Sequence, residues 1–250
     1  MEWIEILGPS GIGKSFFLKS LISERNKESN WLSIEEIKLK WVLKNSKKEG
    51  LVASLIKLYL RQDFVNSEKS NLTEILLDRK NAYLKEAEIF EELLKTYINH
   101  YIDLDICFKE KSYRISLFHK IIENLCLQDY YNIKNPIVMD EGPLSHHPDL
   151  IRVDWDNQKT LPNGLIFCSL SVEKNLSRIY KRKNEGRLAP LHHGLDKPDL
   201  IKHIEEKHHN YLTKQKILMT LGIPFIEINL DNVEPNILVK AQNFIKNVTK

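Results

Sequence analysis

Glycine is scarce in this chain, 9 residues in 250, and proline is as scarce. Neither occurs between Leu51 and Asn135. So long a stretch without the two strongest breakers favours helices over strands. Only three cysteines are present, Cys107, Cys126 and Cys168, far apart and with no C-x-x-C pair. Their apolar surroundings predict buried free thiols. No apolar run approaches a membrane span, and nothing at the N-terminus resembles a secretory signal, so a cytoplasmic protein is expected. A large excess of one charge is missing too. Against 37 Lys+Arg stand 34 Asp+Glu, a net charge of +3, which is not the surplus of a dedicated nucleic-acid binder. Internal repeats and low-complexity linkers are absent. What remains is a chain that is 42% hydrophobic, which supplies a substantial core and excludes wholesale disorder.

The scarcity of glycine makes Gly8, Gly11 and Gly13 conspicuous. Trp3–Leu7 reads as a buried strand, and Phe16–Ile22 as a helix with Phe17, Leu18, Leu21 and Ile22 on one face. Between them runs Gly8-Pro9-Ser10-Gly11-Ile12-Gly13-Lys14-Ser15, the pattern G-x-x-x-x-G-K-S. Strand and helix bracket it as a phosphate-binding loop requires. A glycine-rich turn lets backbone N–H groups wrap a pyrophosphate, and the next helix points its positive end at the anion. Residues Gly8 to Phe16 are therefore the expected nucleotide-binding set. Lys14 would reach the β- and γ-phosphates, and the Ser15 hydroxyl would ligate Mg²⁺.

Downstream, Trp31–Ile34 reads either as a short strand or, better, as a helix cap, with Ser33 followed by acidic Glu35 and Glu36. Helical faces follow through Leu51, Leu55, Leu58 and Tyr59, then through a long pattern from Leu72 to Tyr101. A third runs through Phe118, Ile121, Ile122 and Leu125. From Asn135-Pro136 onward the texture changes. Ile137–Met139 and Gly164–Leu170 are expected as buried strands and Phe225–Asn229 as the last strand. Helices are expected after Ser171, over Pro198–Leu221 up to Gly222, and after Pro235. Strand and helix alternate at both ends, so the expected fold is α/β: a three-layer P-loop fold with a mostly parallel sheet flanked by helices, plus a large helical insertion. Residues 1–30 and 136–250 form the expected core and residues 31–135 the insertion, which would bind an acceptor or partner.

Two further constellations carry chemistry. Ile137-Val138-Met139 ends in Asp140-Glu141, the place for an acid that holds Mg²⁺ through water. Glu141 could activate water, accept a proton from a substrate hydroxyl, or serve only as a neighbour of the site. The segment Ser177–Arg187 gathers Arg178, Lys181 and Arg182 on one helix face, with Arg187 beyond Gly186. Positive charge there suits a transferring phosphoryl group. The pairs His146-His147, His192-His193 and His208-His209 lack third and fourth ligands at metal-binding spacing, and Mg²⁺ prefers oxygen. Of these, His146 and His147 are the ones expected to approach substrate.

On Gly8–Ser15, Ile137–Asp140, the Arg178/Arg182/Arg187 segment and the end of the chain, the sequence resembles the nucleoside-monophosphate-kinase-like group of P-loop phosphotransferases. The resemblance covers Met1–Leu21 and Pro136–Lys250 in outline. It implies that residues of about 178–195 form a lid over ATP, with Arg178, Arg182 and Arg187 as lid arginines. It also implies that Phe225–Asn229 and Leu230-Asp231-Asn232 form the adenine-side edge. Three features depart from the group. Its second strand is not recognisable, and Asp140-Glu141-Gly142 is not the pattern of particular nucleotide acceptors. The helical block between about Trp31 and Asn135, at the acceptor-binding position, is far larger than the usual insertion. The expected activity is an ATP-dependent, Mg²⁺-assisted kinase acting on a nucleotide, a sugar or another metabolite. Catalysis would rest on Lys14, Asp140, Glu141 and the lid arginines, with Ser15 and Asp140 at the metal and Arg61, Arg79 and Arg114 as contacts for a charged acceptor. The alternative is a P-loop ATPase or GTPase switch whose helical region binds a protein or nucleic acid. A homodimer is left open.

Overall fold

The computed structural model describes residues 1–26, 29–37, 80–186, 192, 194–231 and 236–249. The expected Leu51–Tyr59 face, the start of the pattern at Leu72 and Pro235 lie outside these. The fold is α/β. Five parallel strands, β1 (Trp3–Leu7), β2 (Leu32–Ser33), β3 (Ile137–Met139), β4 (Gly164–Ser169) and β5 (Phe225–Asn229), form one sheet in the order β2-β3-β1-β4-β5. Ile4 pairs with Gly164 and Leu165 with Phe225. Leu32 pairs with Ile137, and the Ile137 N–H donates to the Glu2 carbonyl at 2.9 Å. Strand β1 is buried throughout and β4 over all but its last residue; β4 reads as a continuous apolar run, whereas β1 carries the buried Glu5 in its middle. Edge strand β5 is mostly exposed.

The labelled helices are α1 (Lys14–Ser23), α2 (Glu91–Asp103), α3 (Phe108–Tyr130), α4 (Pro143–His146), α5 (Val172–Asn184), α6 (Lys197–Met219) and α7 (Ile237–Val248). Residues 80–86 are also helical, and Ala87–Phe90 form a 3₁₀ turn into α2.

A short strand is present where the sequence favoured a helix cap. Strand β2 is only two residues long, too short to show periodicity, and it shares Ser33 with a helix cap. Ser33 N–H donates to the Glu36 carboxylate at 2.8 Å, and Ser33 Oγ accepts from the Glu36 N–H at 3.3 Å. This reciprocal pair is a capping box, so both readings of Trp31–Ile34 apply at once.

Two compact units divide the chain. The first comprises Met1–Trp3, Asn30–Val138 and His147–Thr160. Its core is aromatic: Tyr97 stacks on Phe118 at 3.9 Å and 8°, and Trp3 lies 5.7 Å from Phe90. The second comprises Ile4–Ser29, Met139–His146 and Leu161–Lys250. There α7 packs on β4, β5 and α1. Ile179, Leu200 and Ile204 join α5 to α6. Among the described residues no helix is long and apolar enough to cross a membrane.

Candidate functional site

The site is built within the second unit, beyond the carboxyl ends of β1 and β3. Leaving β1, the chain turns through Gly8–Gly13 before α1 begins at Lys14. Gly11 (φ 88°) and Gly13 (φ 101°) occupy the left-handed region, where a side chain is strained. Pro9 and Ile12 are buried. Two side chains of α5 hold the loop by its carbonyls. Asn175 Nδ2 donates to Ser10 O at 3.1 Å, and Arg178 Nη1 donates to Ile12 O. In a trans peptide the N–H opposes the C=O. The Gly11 and Gly13 N–H groups therefore point away from α5.

Lys14 folds back on the loop, donating to Gly8 O at 2.9 Å and Pro9 O at 3.2 Å. Burial pushes its amine below the ordinary lysine range, opposed by the negative charge of Asp140 and, less strongly, of Glu141 and Glu5. Lys14 thus lies within electrostatic reach of Asp140 and Glu141. Ser15 is exposed on the first turn of α1, and the neighbouring Phe16 ring is 77% exposed.

After β3, Asp140 is half-buried and Glu141 exposed. His146 Nε2 stands 3.7 Å from Glu141 Oε2. That imidazole holds the Glu141 carboxyl below its usual range against partial desolvation, with Lys14 contributing. Between them, Gly142 leads into α4. The fully buried carboxylate of Glu5 on β1 accepts from the N–H groups of Leu144 (3.2 Å) and Ser145 (2.5 Å). Burial pushes the Glu5 carboxyl up, and the two backbone N–H bonds oppose the shift. From α6, Lys214 donates to Ser145 O at 2.8 Å and Leu144 O at 3.5 Å. Its amine is pushed down to about 8, mainly by burial, with Glu5 opposing.

Other expected residues fall elsewhere. Arg178 also reaches Leu230 O at 3.4 Å. Arg182 is half-buried one turn further along α5. Arg187, most of the lid after Gly186, Arg61 and Arg79 lie outside the described residues. Arg114, on α3, pairs with Glu110 at 3.2 Å on an exposed face. His147 is fully buried in the first unit, with Thr96 Oγ1 and the Leu93 carbonyl at Nε2 and the Asp149 N–H on Nδ1. It packs edge-on to Tyr97 and Phe118, so of the two adjacent histidines only His146 belongs to the site. His192 is buried against His203, and His208 contacts Asn175 Nδ2 at 3.1 Å. Cys126 and Cys168 are buried as expected, whereas Cys107 is exposed because it precedes α3 in the α2–α3 connection. A cavity of about 420 Å³ lined by Ile102, Phe108, Ile115 and His119 contains none of the expected site residues.

Sequence reasoning missed Glu5, Asn175 and Lys214. Each carries a detectable signal, a polar residue where the local period demands an apolar one. Glu5 interrupts Trp3–Leu7, Asn175 lies one turn before Ile179, and Lys214 falls between Tyr211 and Leu218. Among the described residues no group of three or more His, Cys, Asp or Glu could hold a metal. Compared with protein-family models and with curated proteins, the chain matches none.

Proposed function

We propose that this chain is an ATP-dependent, Mg²⁺-assisted P-loop phosphotransferase acting on a small molecule. One observation carries the reading. A lysine amine sits within electrostatic reach of three carboxylates, Asp140, Glu141 and Glu5, beside a loop with two left-handed glycines, at the carboxyl edge of a parallel sheet. In folds of this kind ligands bind at that edge. Backbone N–H groups of Gly8–Ser15 would receive the phosphates, and Lys14 would exchange its carbonyl acceptors in the loop for phosphate oxygens. Asn175 and Arg178 keep the loop in shape by its carbonyls. Arg178 thereby supports the loop, and Arg182 and Arg187 are the lid cations of this reading.

Ser15 and Asp140 fit a magnesium ion, because both offer hard oxygen donors and such an ion completes its shell with water and phosphate oxygens. When bound, the ion neutralises charge on the phosphates. Lid closure would exclude water that otherwise hydrolyses ATP.

The test is incubation with γ-labelled ATP, Mg²⁺ and a metabolite extract. Label is expected in an organic acceptor. Label found only in free phosphate, at a rate indifferent to metabolites, would assign a hydrolase instead. Lys14→Ala should weaken ATP binding at least about tenfold, a loss of about 1.4 kcal/mol, and unchanged binding and turnover would remove the reading.

A further inference from the structure

We propose that the acceptor is a hydroxyl compound and that Glu141 and His146 remove its proton, His146 receiving it and Glu141 orienting the imidazole. The inference rests on the phosphotransferase reading.

A four-residue helix has no stability of its own, and here its geometry is imposed from outside. Glu5 takes the N–H groups of Leu144 and Ser145 from β1. Lys214 takes the carbonyls of the same two residues from α6. The His146 N–H closes the turn on Gly142 O at 3.3 Å. His146 is thus presented by a backbone fixed from two sides, the support that a reacting side chain needs. Its imidazole is 27% exposed and the Glu141 carboxylate 71% exposed, so both are reachable by a small molecule. Glu141 follows β3, which neighbours β1 in the sheet, so the pair stands beside the loop that leaves β1, where the γ-phosphate would lie.

The division of labour follows from charge. The imidazole has a ring nitrogen able to receive a proton, and a carboxylate 3.7 Å from its Nε2 can orient the ring and balance the positive charge it gains. The charged groups around His146 are Glu141 from its own connection, Glu5 from β1 and Lys214 from α6. The acceptor class follows from the same point. A phosphate acceptor is already ionised at neutral pH and needs no base. An alcohol needs a base and brings no charge. As the acceptor O–H bond breaks, its proton passes to His146 Nδ1 and the oxygen electron pair forms the new O–Pγ bond. The bond from Pγ to the β-phosphate oxygen breaks, and its electron pair leaves on ADP.

The experiment follows γ-labelled ATP in a metabolite extract and then treats the labelled product with hot acid, which a phosphomonoester survives and a phosphoanhydride does not. Wild type, His146→Ala and Glu141→Gln are compared, with melting and ATP binding measured on each. The expected result is an acid-stable label. kcat should fall about 10²–10⁴-fold in His146→Ala with ATP binding retained, be partly restored by added imidazole, and fall less in Glu141→Gln. Imidazole would not rescue a merely structural loss. Acid-labile label, or a fully active His146→Ala, would overturn the inference and leave the phosphotransferase reading standing. Label only in inorganic phosphate, by contrast, would remove that reading and this inference with it.

Discussion

Gly142 sits where any side chain would strike a carboxylate. A Cβ built there lies 2.4 Å from Glu5 Cδ and 2.5 Å from Glu5 Oε2. The far end of a glutamate usually swings aside, but this one is fully buried and bonded to two N–H groups. Gly142→Ala should therefore destabilise the protein by about 1–3 kcal/mol, the usual range for overpacking. In urea unfolding this would appear as a lower midpoint at unchanged slope. A midpoint equal to that of wild type would mean that Glu5 is free to move and that α4 is not clamped. The glycine itself was legible as part of Asp140-Glu141-Gly142, but its reason was not, because Glu5 lies 137 positions earlier. Gly8–Ser15 and Asp140-Glu141 could be read because each is contiguous. The roles of Glu5, Asn175 and Lys214 depend on strand order, which no local pattern encodes.

At the level of elements, sequence periodicity worked where a face is long and failed where a distant residue intervenes. The helical pattern from Leu72 to Tyr101 contains no breaker, yet Ala87–Phe90 is a 3₁₀ turn and α2 starts afresh at Glu91. The cause lies beyond β3, in Gln158. Its side-chain amide Nε2 donates to Ile89 O at 2.7 Å, and its Oε1 accepts from the Leu93 N–H at 3.3 Å. One nearly buried side chain thus bonds backbone groups on both sides of the break. Gln158→Ala would leave the buried Leu93 N–H and the part-buried Ile89 carbonyl without this partner, so a loss of about 1–3 kcal/mol is expected. Hydrogen exchange should report it as lost protection at Leu93 and its neighbours, ahead of the sheet. Uniform loss across both units would argue that the break has no local support. Strand β2 was hidden for a simpler reason. Two residues show no alternation, and Ser33 carries the signal of a cap.

For the whole molecule, the alternation of strands and helices was enough to give a parallel α/β sheet, because buried parallel strands read as largely apolar runs, β1 being broken only by Glu5. It did not reveal that the same sheet edge would gather buried charge, and this has a consequence for stability. Burial pushes the Lys214 amine from its ordinary 10.5 down to about 8, with Glu5 opposing. Between those two values the unfolded chain binds a proton that the folded chain has released. Stability therefore rises with pH across that window relative to a protein without the amine. Comparing wild type with Lys214→Met cancels groups common to both. The Cys126 and Cys168 thiols, pushed up to about 12 by burial, titrate above the window in the folded state. Urea unfolding of both proteins at about pH 7, 8.5 and 10 should show the difference moving in favour of wild type by roughly 1–3 kcal/mol. A difference independent of pH would mean that Lys214 keeps its solution behaviour. In that case its bonds to Leu144 and Ser145 would rest on a hydrated surface amine rather than on a buried support of α4.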